Sequence, residues 1–280
     1  MTARPLNNPF TDDLPGIDSL GNWAVFFDID GTLLDLAESP EAVRVPEGLI
    51  GDLLDLDEKL GGALALVTGR SIAFVDTLFP ETSFPVAGLH GGEIRDAAGR
   101  VERTEPTEAF LRAKEELRMQ AARWRDILVE DKRAAIAVHY RQAPQLEGEM
   151  RQLMEEIAAL AGPGWTLQRG KMVLELRPAA HDKGHAVETF MRAPPFVGRR
   201  PLAFGDDVTD EAMFEAVNVR GGLSVRIGLP SQVQEKREAV FRSGLAADER
   251  ERPSAAKLYL EKPAALRDWI SQQARREKNI

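Results

Sequence analysis

Apolar residues are laid out along this chain in two alternating patterns, short unbroken runs and repeats every three or four positions. Trp23–Phe27 (WAVFF) is a run that stops abruptly at Asp28, so it predicts a buried strand with carboxylates at its end. Pro46–Leu60 carries Leu49, Ile50, Leu53, Leu54 and Leu56 at helical spacing and is closed by Gly61-Gly62. Ala63–Val67 (ALALV) is a second run, ending in Thr68-Gly69-Arg70-Ser71, and Ile72–Leu78 returns to helical spacing. Phe84–Ala87 predicts a third strand, followed by a glycine-rich loop, Gly88–Arg95 (GLHGGEIR). Strand and helix in alternation imply an α/β fold, a Rossmann-like, doubly wound parallel sheet whose ligands sit off the carboxyl ends of its strands.

The pattern then changes. Thr107–Trp124 predicts a long charged helix with Phe110, Leu111, Leu117 and Trp124 on or near one stripe, followed by strands at Ile127–Glu130 and Ala134–His139. Gln145–Leu160 is a second amphipathic helix, and Trp165–Arg169 with Met172–Leu176 predicts a hairpin turned at Gly170-Lys171. This αββαββ order suits an inserted α+β domain, residues 105–180, with hinges at Thr104–Pro106 and Pro178–Ala180 and a core built from 1–104 and 181–280. The first pattern resumes with helix Gly184–Met191, strand Pro201–Phe204, helix Thr209–Val217 and strand Leu223–Ile227. Ser231–Pro253 is heavily charged, Ala256–Leu260 predicts an edge strand and Pro263–Gln272 a closing helix.

Composition narrows the function classes. A 43% hydrophobic content over 280 residues supports a substantial core, and a net charge of −9 without a basic run argues against a nucleic-acid surface. The absence of cysteine excludes disulfides, thiolate zinc sites and a cysteine nucleophile. Pro5, Pro9, Pro15 and Asp12-Asp13 interrupt the first twenty residues, so no signal peptide is visible, and no apolar run is long enough to cross a bilayer. The expectation is a cytoplasmic protein without membrane or nucleic-acid partners; the oligomeric state is left open and a monomer suffices.

The candidate chemistry sits where the apolar runs end. In Phe26–Asp35 (FFDIDGTLLD), Asp28 and Asp30 share one side of a strand-like stretch, and Gly31-Thr32 can present backbone N–H groups to an anion. Carboxylates beside an anion nest need a cation, which points to magnesium-assisted phosphoryl transfer with one Asp as nucleophile and the other as acid/base. Taken alone, the same residues fit a calcium loop or a polar turn equally well. Thr68 and Gly69 could hold a phosphate oxygen, or Thr68 could simply cap a helix. Lys183, at a helix start, opposes the helix dipole and so suits an anion. Gly205–Glu211 (GDDVTDE) ends another strand in adjacent carboxylates, with Asp206 expected as a direct ligand of a hard cation, Asp207 as a second acting through water or a neighbouring group, and Asp210 and Glu211 as first-turn helix residues. His90, His139, His181 and His185 have no metal-ligand spacing.

Taken in order, DIDGTLLD (28–35), VTGR (67–70), Lys183 and GDDVTDE (205–211) resemble the four signatures of the haloacid-dehalogenase-like phosphohydrolases. The insertion resembles the cap of members acting on sugar phosphates, and GLHGGEIR (88–95), EDKRAAIAVHYR (130–141) and GKMVLELRP (170–178) look like the trehalose-6-phosphate phosphatase family. The resemblance implies Asp28 as nucleophile, Asp30 as general acid/base, and magnesium held by Asp28, the Asp30 carbonyl and Asp206. It implies phosphate binding by Thr68 and Lys183, and sugar binding by Glu130, Lys132 and Glu175, with Arg95, His90 and Glu93 lining the core side of the cleft. A phosphatase for sucrose 6-phosphate or a glucosylglycerol phosphate, a phosphomutase, and a non-catalytic sensor remain open at this point. Leu229–Ala255 departs from the family pattern as an insertion.

Overall fold

The computed structural model describes residues 14, 16, 21–37, 42–170, 172–228 and 253–275. Most of the insertion at 229–255, and Lys171 in the cap hairpin, lie outside the described residues. The chain divides into two compact units, Met1–Val101 with Lys183–Ile280, and Glu102–Asp182.

The larger unit is built on a sheet whose strands follow one another through helices. In chain order they are β1 (Trp23–Phe27), α1 (Leu49–Lys59), β2 (Leu64–Val67), α2 (Ile72–Leu78), β3 (Val86–Gly88) and β4 (Glu93–Arg95), with β5 (Val101–Arg103) spanning the division between the units. The smaller unit supplies α3 (Glu108–Ala121), β6 (Leu128–Asp131), β7 (Ile136–His139), α4 (Glu147–Ala161), β8 (Trp165–Gly170) and β9 (Val173–Pro178). The larger resumes with α5 (Lys183–Phe190), β10 (Arg200–Gly205), α6 (Glu211–Val219), β11 (Leu223–Ile227), β12 (Leu258–Leu260) and α7 (Pro263–Arg275).

The large sheet runs β12-β11-β10-β1-β2-β3-β4-β5. Pairings from β12 across to β3 are parallel, and β4 turns back antiparallel. Every residue of β1 and β2 is buried, as expected of strands covered on both faces. Their side chains join Phe190, Phe196, Phe204 and Trp269 in one core, where Phe27 stacks on Phe204 with centroids 5.1 Å apart. Strand order reverses between β1 and β10, so the crevice at their carboxyl ends is where this topology offers a ligand site. The doubly wound α/β architecture read from the apolar runs is the one observed. The short β4 replaces the end of what reads as a glycine-rich loop.

In the smaller unit, β6-β7-β9-β8 form an antiparallel sheet. Ile136, Val138, Leu174 and Leu176 turn to one face and pack with Phe110, Leu117, Met150, Met154, Ile157 and Trp165. Phe110 stacks flat on Trp165, centroids 3.6 Å apart. The Thr107 hydroxyl accepts from Phe110 N at 3.2 Å and caps α3. Leu111, placed on the buried stripe by the sequence reading, is exposed; the stripe runs instead through Phe110, Ala113, Lys114, Leu117 and Ala121. Lys114 can be buried there because Asp131 Oδ1, at 2.5 Å, and Arg133 O, at 2.9 Å, accept from its ammonium.

Candidate active site

Parallel register brings the carboxyl ends of β1, β10 and β2 level. Phe27 pairs with Phe204 and Leu66, so the residues leaving these strands emerge side by side: Asp28, then Asp206 after Gly205, and Thr68 after Val67. Asp28 N donates to Phe204 O at 2.9 Å and Thr68 N to Ala87 O at 2.8 Å, extending the ladders one step beyond the strands.

Asp28 is almost fully buried and spends both oxygens locally. Lys183 Nζ donates to its Oδ1 at 2.7 Å, and the Thr32 hydroxyl to its Oδ2 at 3.2 Å. The same ammonium donates to Asp210 Oδ1 at 2.7 Å, so Lys183 bridges two buried carboxylates from the first turn of α5. Asp210 Oδ2 accepts from Asp206 N at 2.9 Å and Asp207 N at 3.0 Å, fixing the loop that presents Asp206. Burial pushes Asp28 well above the usual carboxylate range; Lys183 opposes this, while Asp210 and Asp206 reinforce it. Burial pulls Lys183 down, yet Asp210 and Asp28 together outweigh it and hold the ammonium above the ordinary lysine range.

Two glycines make room for these carboxylates. Gly31 has φ of 80° and a methyl group there would overlap the Asp206 carboxylate, while one on Gly205 would overlap that of Asp210. Ligand atoms of Asp28, Asp206 and Asp210 all lie within 4.8 Å of one another. Three carboxylates face one ammonium, and an all-oxygen donor set with surplus negative charge fits a hard divalent cation such as magnesium.

Asp30, the neighbour of this cluster, is held by Arg70 through two parallel bonds, Nε to Oδ2 and Nη2 to Oδ1, each 2.7 Å. The guanidinium also lies 4.4 Å from the Phe74 ring centroid, and Arg70 N donates to the Thr68 hydroxyl at 3.1 Å. Gly69 is pressed against the His90 ring, which would stand 2.7 Å from an added methyl. His90 N donates to Thr68 O at 2.9 Å with the non-glycine residues Leu89 and His90 both at positive φ, and Glu93 accepts from Ile72 N at 3.0 Å. The GLHGGEIR segment therefore braces the Thr68–Ile72 turn.

Two expected site residues lie away from the carboxylate cluster. Asp207 is outside the carboxylate cluster: its Oδ1 accepts from Val208 N at 2.7 Å and caps the short turn Val208–Asp210, and Asp210 takes the place beside Asp206. Arg95 pairs with Val86, toward the amino end of β3, because β4 runs back antiparallel. There its guanidinium bonds Asp76 at 2.8 Å and Phe84 O at 3.2 Å, so it ties β4 to α2.

In the smaller unit, Glu130, Ala137, Glu175 and Gln168 are in register across the four strands, on the face away from the helices. Lys132 Nζ lies 2.8 Å from Glu175 Oε2 and 3.8 Å from Glu130 Oε2, so the three charged residues picked from sequence do meet. Sequence reasoning missed two others on this face. His139 Nε2 is 2.8 Å from Glu130 Oε2, and Arg177 Nε donates to Gln168 Oε1. Alternation along β7 and β9 was the available signal.

A sequence model of the trehalose-phosphatase family matches residues 26–245. The chain belongs to the trehalose-phosphatase family. It is 57% identical over 216 residues to a probable trehalose-phosphate phosphatase of Sinorhizobium fredii, covering 77% of this chain and 82% of that one. It is 41% identical over 207 residues to trehalose-6-phosphate phosphatase of Escherichia coli, covering 74% of this chain and 77% of the other. Among solved structures, that of a trehalose-6-phosphate phosphatase related protein superposes with a TM-score of 0.66 at 24% identity, over 89% of this chain and 96% of that one, a likeness of fold. Membership makes the chain a phosphatase of the haloacid-dehalogenase-like fold. No helix among the described residues is long and apolar enough to cross a membrane.

Proposed function

We propose that this chain hydrolyses trehalose 6-phosphate to trehalose and phosphate through an aspartyl-phosphate on Asp28. The observation that carries the mechanism is the Lys183 bridge between Asp28 and Asp210 beside Asp206, at the point where strand order reverses.

Asp28, Asp206 and the Asp30 carbonyl would hold magnesium. The ion would supply charge neutralisation for the phosphoryl group and keep Asp28 ionised. Asp210 serves in this reading as the anchor of Lys183 and of the Asp206 and Asp207 amides. An Asp28 oxygen attacks phosphorus as the bond from phosphorus to the sugar oxygen breaks, and Asp30 hands its proton to that oxygen. In the second half, Asp30 takes a proton from water, which attacks the acyl phosphate, frees phosphate and restores Asp28. Lys183, the Thr68 hydroxyl and the Gly69 amide hold the phosphoryl oxygens, while Arg70 fixes the aim of Asp30 with a two-point clamp.

The smaller unit recognises the sugar. Glu130, Lys132 and Glu175 form a charged hydrogen-bonding set suited to hydroxyl groups, presented on a sheet face that the helices leave uncovered. The 57% and 41% identities to trehalose-phosphate phosphatases support the disaccharide over sucrose 6-phosphate or glucosylglycerol phosphate, and support release of phosphate over its transfer within the sugar. Phosphate release measured across disaccharide and monosaccharide phosphates, with and without magnesium, tests this. The expected result is magnesium-dependent release preferring trehalose 6-phosphate. Equal turnover of all of them would sink the substrate assignment, and a moved phosphate without release would indicate a mutase.

A further inference from the structure

Asp206 is held at both of its peptide groups. Its N–H donates to Asp210 Oδ2 at 2.9 Å, and its carbonyl accepts from Arg226 Nη2 at 2.7 Å. With both sides fixed, the direction of its side chain is set by two neighbours that are themselves held. Asp210 is anchored by Lys183. Arg226 is anchored by Glu211, whose Oε1 accepts from Nη1.

Arg226 is an unusual occupant of its position. It lies in the buried strand β11, directly opposite Gly205, and is only 4% exposed. A buried guanidinium is costly unless its charge and donors are matched, and Glu211 supplies the matching charge. Glu211 also reaches a third element. Its Oε2 accepts from Ala255 N at 2.8 Å and from the Ser254 hydroxyl at 3.2 Å, and Ala255 O in turn accepts from Asn218 Nδ2 at 2.7 Å. One carboxylate thus links the chain leading into β12, the buried arginine and the loop that presents Asp206.

We propose that Arg226 and Glu211 are positioning residues for the cation, aiming Asp206 and coupling that aim to Ser254–Ala255. The proposal rests on the reading of Asp206 as a magnesium ligand. Outer groups that orient ligands change metal affinity by about 10- to 100-fold when removed, whereas a purely structural pair would lower stability at every magnesium concentration alike. Loss of Arg226 frees the Asp206 carbonyl, and loss of the Glu211 charge leaves an uncompensated cation beside the site.

The test compares wild type, Arg226→Met, Arg226→Lys and Glu211→Gln in the full chain. Two readouts are followed over a magnesium titration: the rise in melting temperature without substrate, and the half-saturating magnesium for phosphate release. The expected result is half-saturation raised about 10-fold in Arg226→Met and Glu211→Gln in both readouts, with KM for the sugar phosphate within about twofold, and Arg226→Lys between them and wild type. Half-saturation within about twofold of wild type in the variants would overturn the positioning role while leaving the metal reading intact. A wild type whose melting and activity ignore magnesium would overturn both. Should Arg226→Met fail to fold, Glu211→Gln and Arg226→Lys decide the matter by the same criterion.

Discussion

The two candidate sites treat charge in opposite ways. At the ends of β1 and β10, Lys183 is 3% exposed and Asp210 is 0% exposed, so each charge there depends on its partner. On the outer face of the smaller sheet, the side chains of Glu130, Lys132 and Glu175 are 46%, 21% and 14% exposed, so water reaches the set from the Glu130 side. A buried pair that loses one member leaves an uncompensated charge costing about 3–5 kcal/mol, whereas exposed pairs are worth about 0–1 kcal/mol. Damage to the first site should therefore appear in chemistry and stability together, and damage to the second in substrate binding alone.

The largest effect expected is on turnover. Asp28→Asn removes the nucleophile and should cut phosphate release by about 10⁴-fold or more in a steady-state assay. Retention of near wild-type release with an intact fold would end the nucleophile assignment. Next, Lys183→Met should destabilise the chain by about 3–5 kcal/mol in denaturant unfolding, since Asp28 and Asp210 would face each other without an ammonium. This loss should depend on pH. Asp28 already binds its proton more tightly in the folded than in the unfolded chain, so the cost of burying it ionised is absent at low pH and grows as pH rises. The gap between variant and wild type should accordingly narrow from pH 8 toward pH 5, and a constant gap would contradict the coupling.

Glu175→Gln sharpens the contrast from the other side. It should raise KM for trehalose 6-phosphate by about 10-fold while moving unfolding free energy by less than about 1 kcal/mol. A loss of stability as large as that of Lys183→Met would erase the distinction between the regions. Asp131 lies outside both sets of site residues, so the smallest effect on activity is expected there. Burial alone would raise its carboxyl, but Lys114, the Arg133 amide and Arg118 outweigh that and hold it below the usual range. Its contribution is therefore present above the unfolded value near 3.8 and lost as pH falls through the lower folded value. Asp131 is 36% exposed but its partner Lys114 is only 6% exposed and would be left buried without a countercharge, so Asp131→Asn should cost about 2 kcal/mol at pH 7, the difference shrinking only as pH falls below the unfolded value near 3.8.

What could be read from sequence follows from how local the cause is. WAVFF and ALALV announce themselves as buried strands because nothing polar interrupts their packing, and Asp28, Thr68 and Asp206 are conspicuous because each ends an apolar run or follows one closely. The clamp of Arg70 on Asp30 spans 40 positions and leaves no periodic trace. Asp210 was read as a helix-dipole residue because its role depends on the short turn Val208–Asp210 folding its carboxylate back on the Asp206 amide. Arg95 was misplaced because three-residue strands carry no usable period, and only the antiparallel return of β4 shows which end it reaches. Arg226 was the readable signal left unread, a lone charge inside an apolar strand, which needs a buried partner.

The level pairing of Phe27 with Phe204 makes β1 and β10 behave as a ruler. Losing one residue from either strand would slide its carboxylate by about 3.3 Å and turn it to the opposite face. Substitutions that preserve bulk can be absorbed along these strands, but changes of length cannot. Insertions and deletions should therefore be tolerated in the connections and not within these strands, with the 28-to-206 pair keeping its register wherever the chain is lengthened or shortened around it.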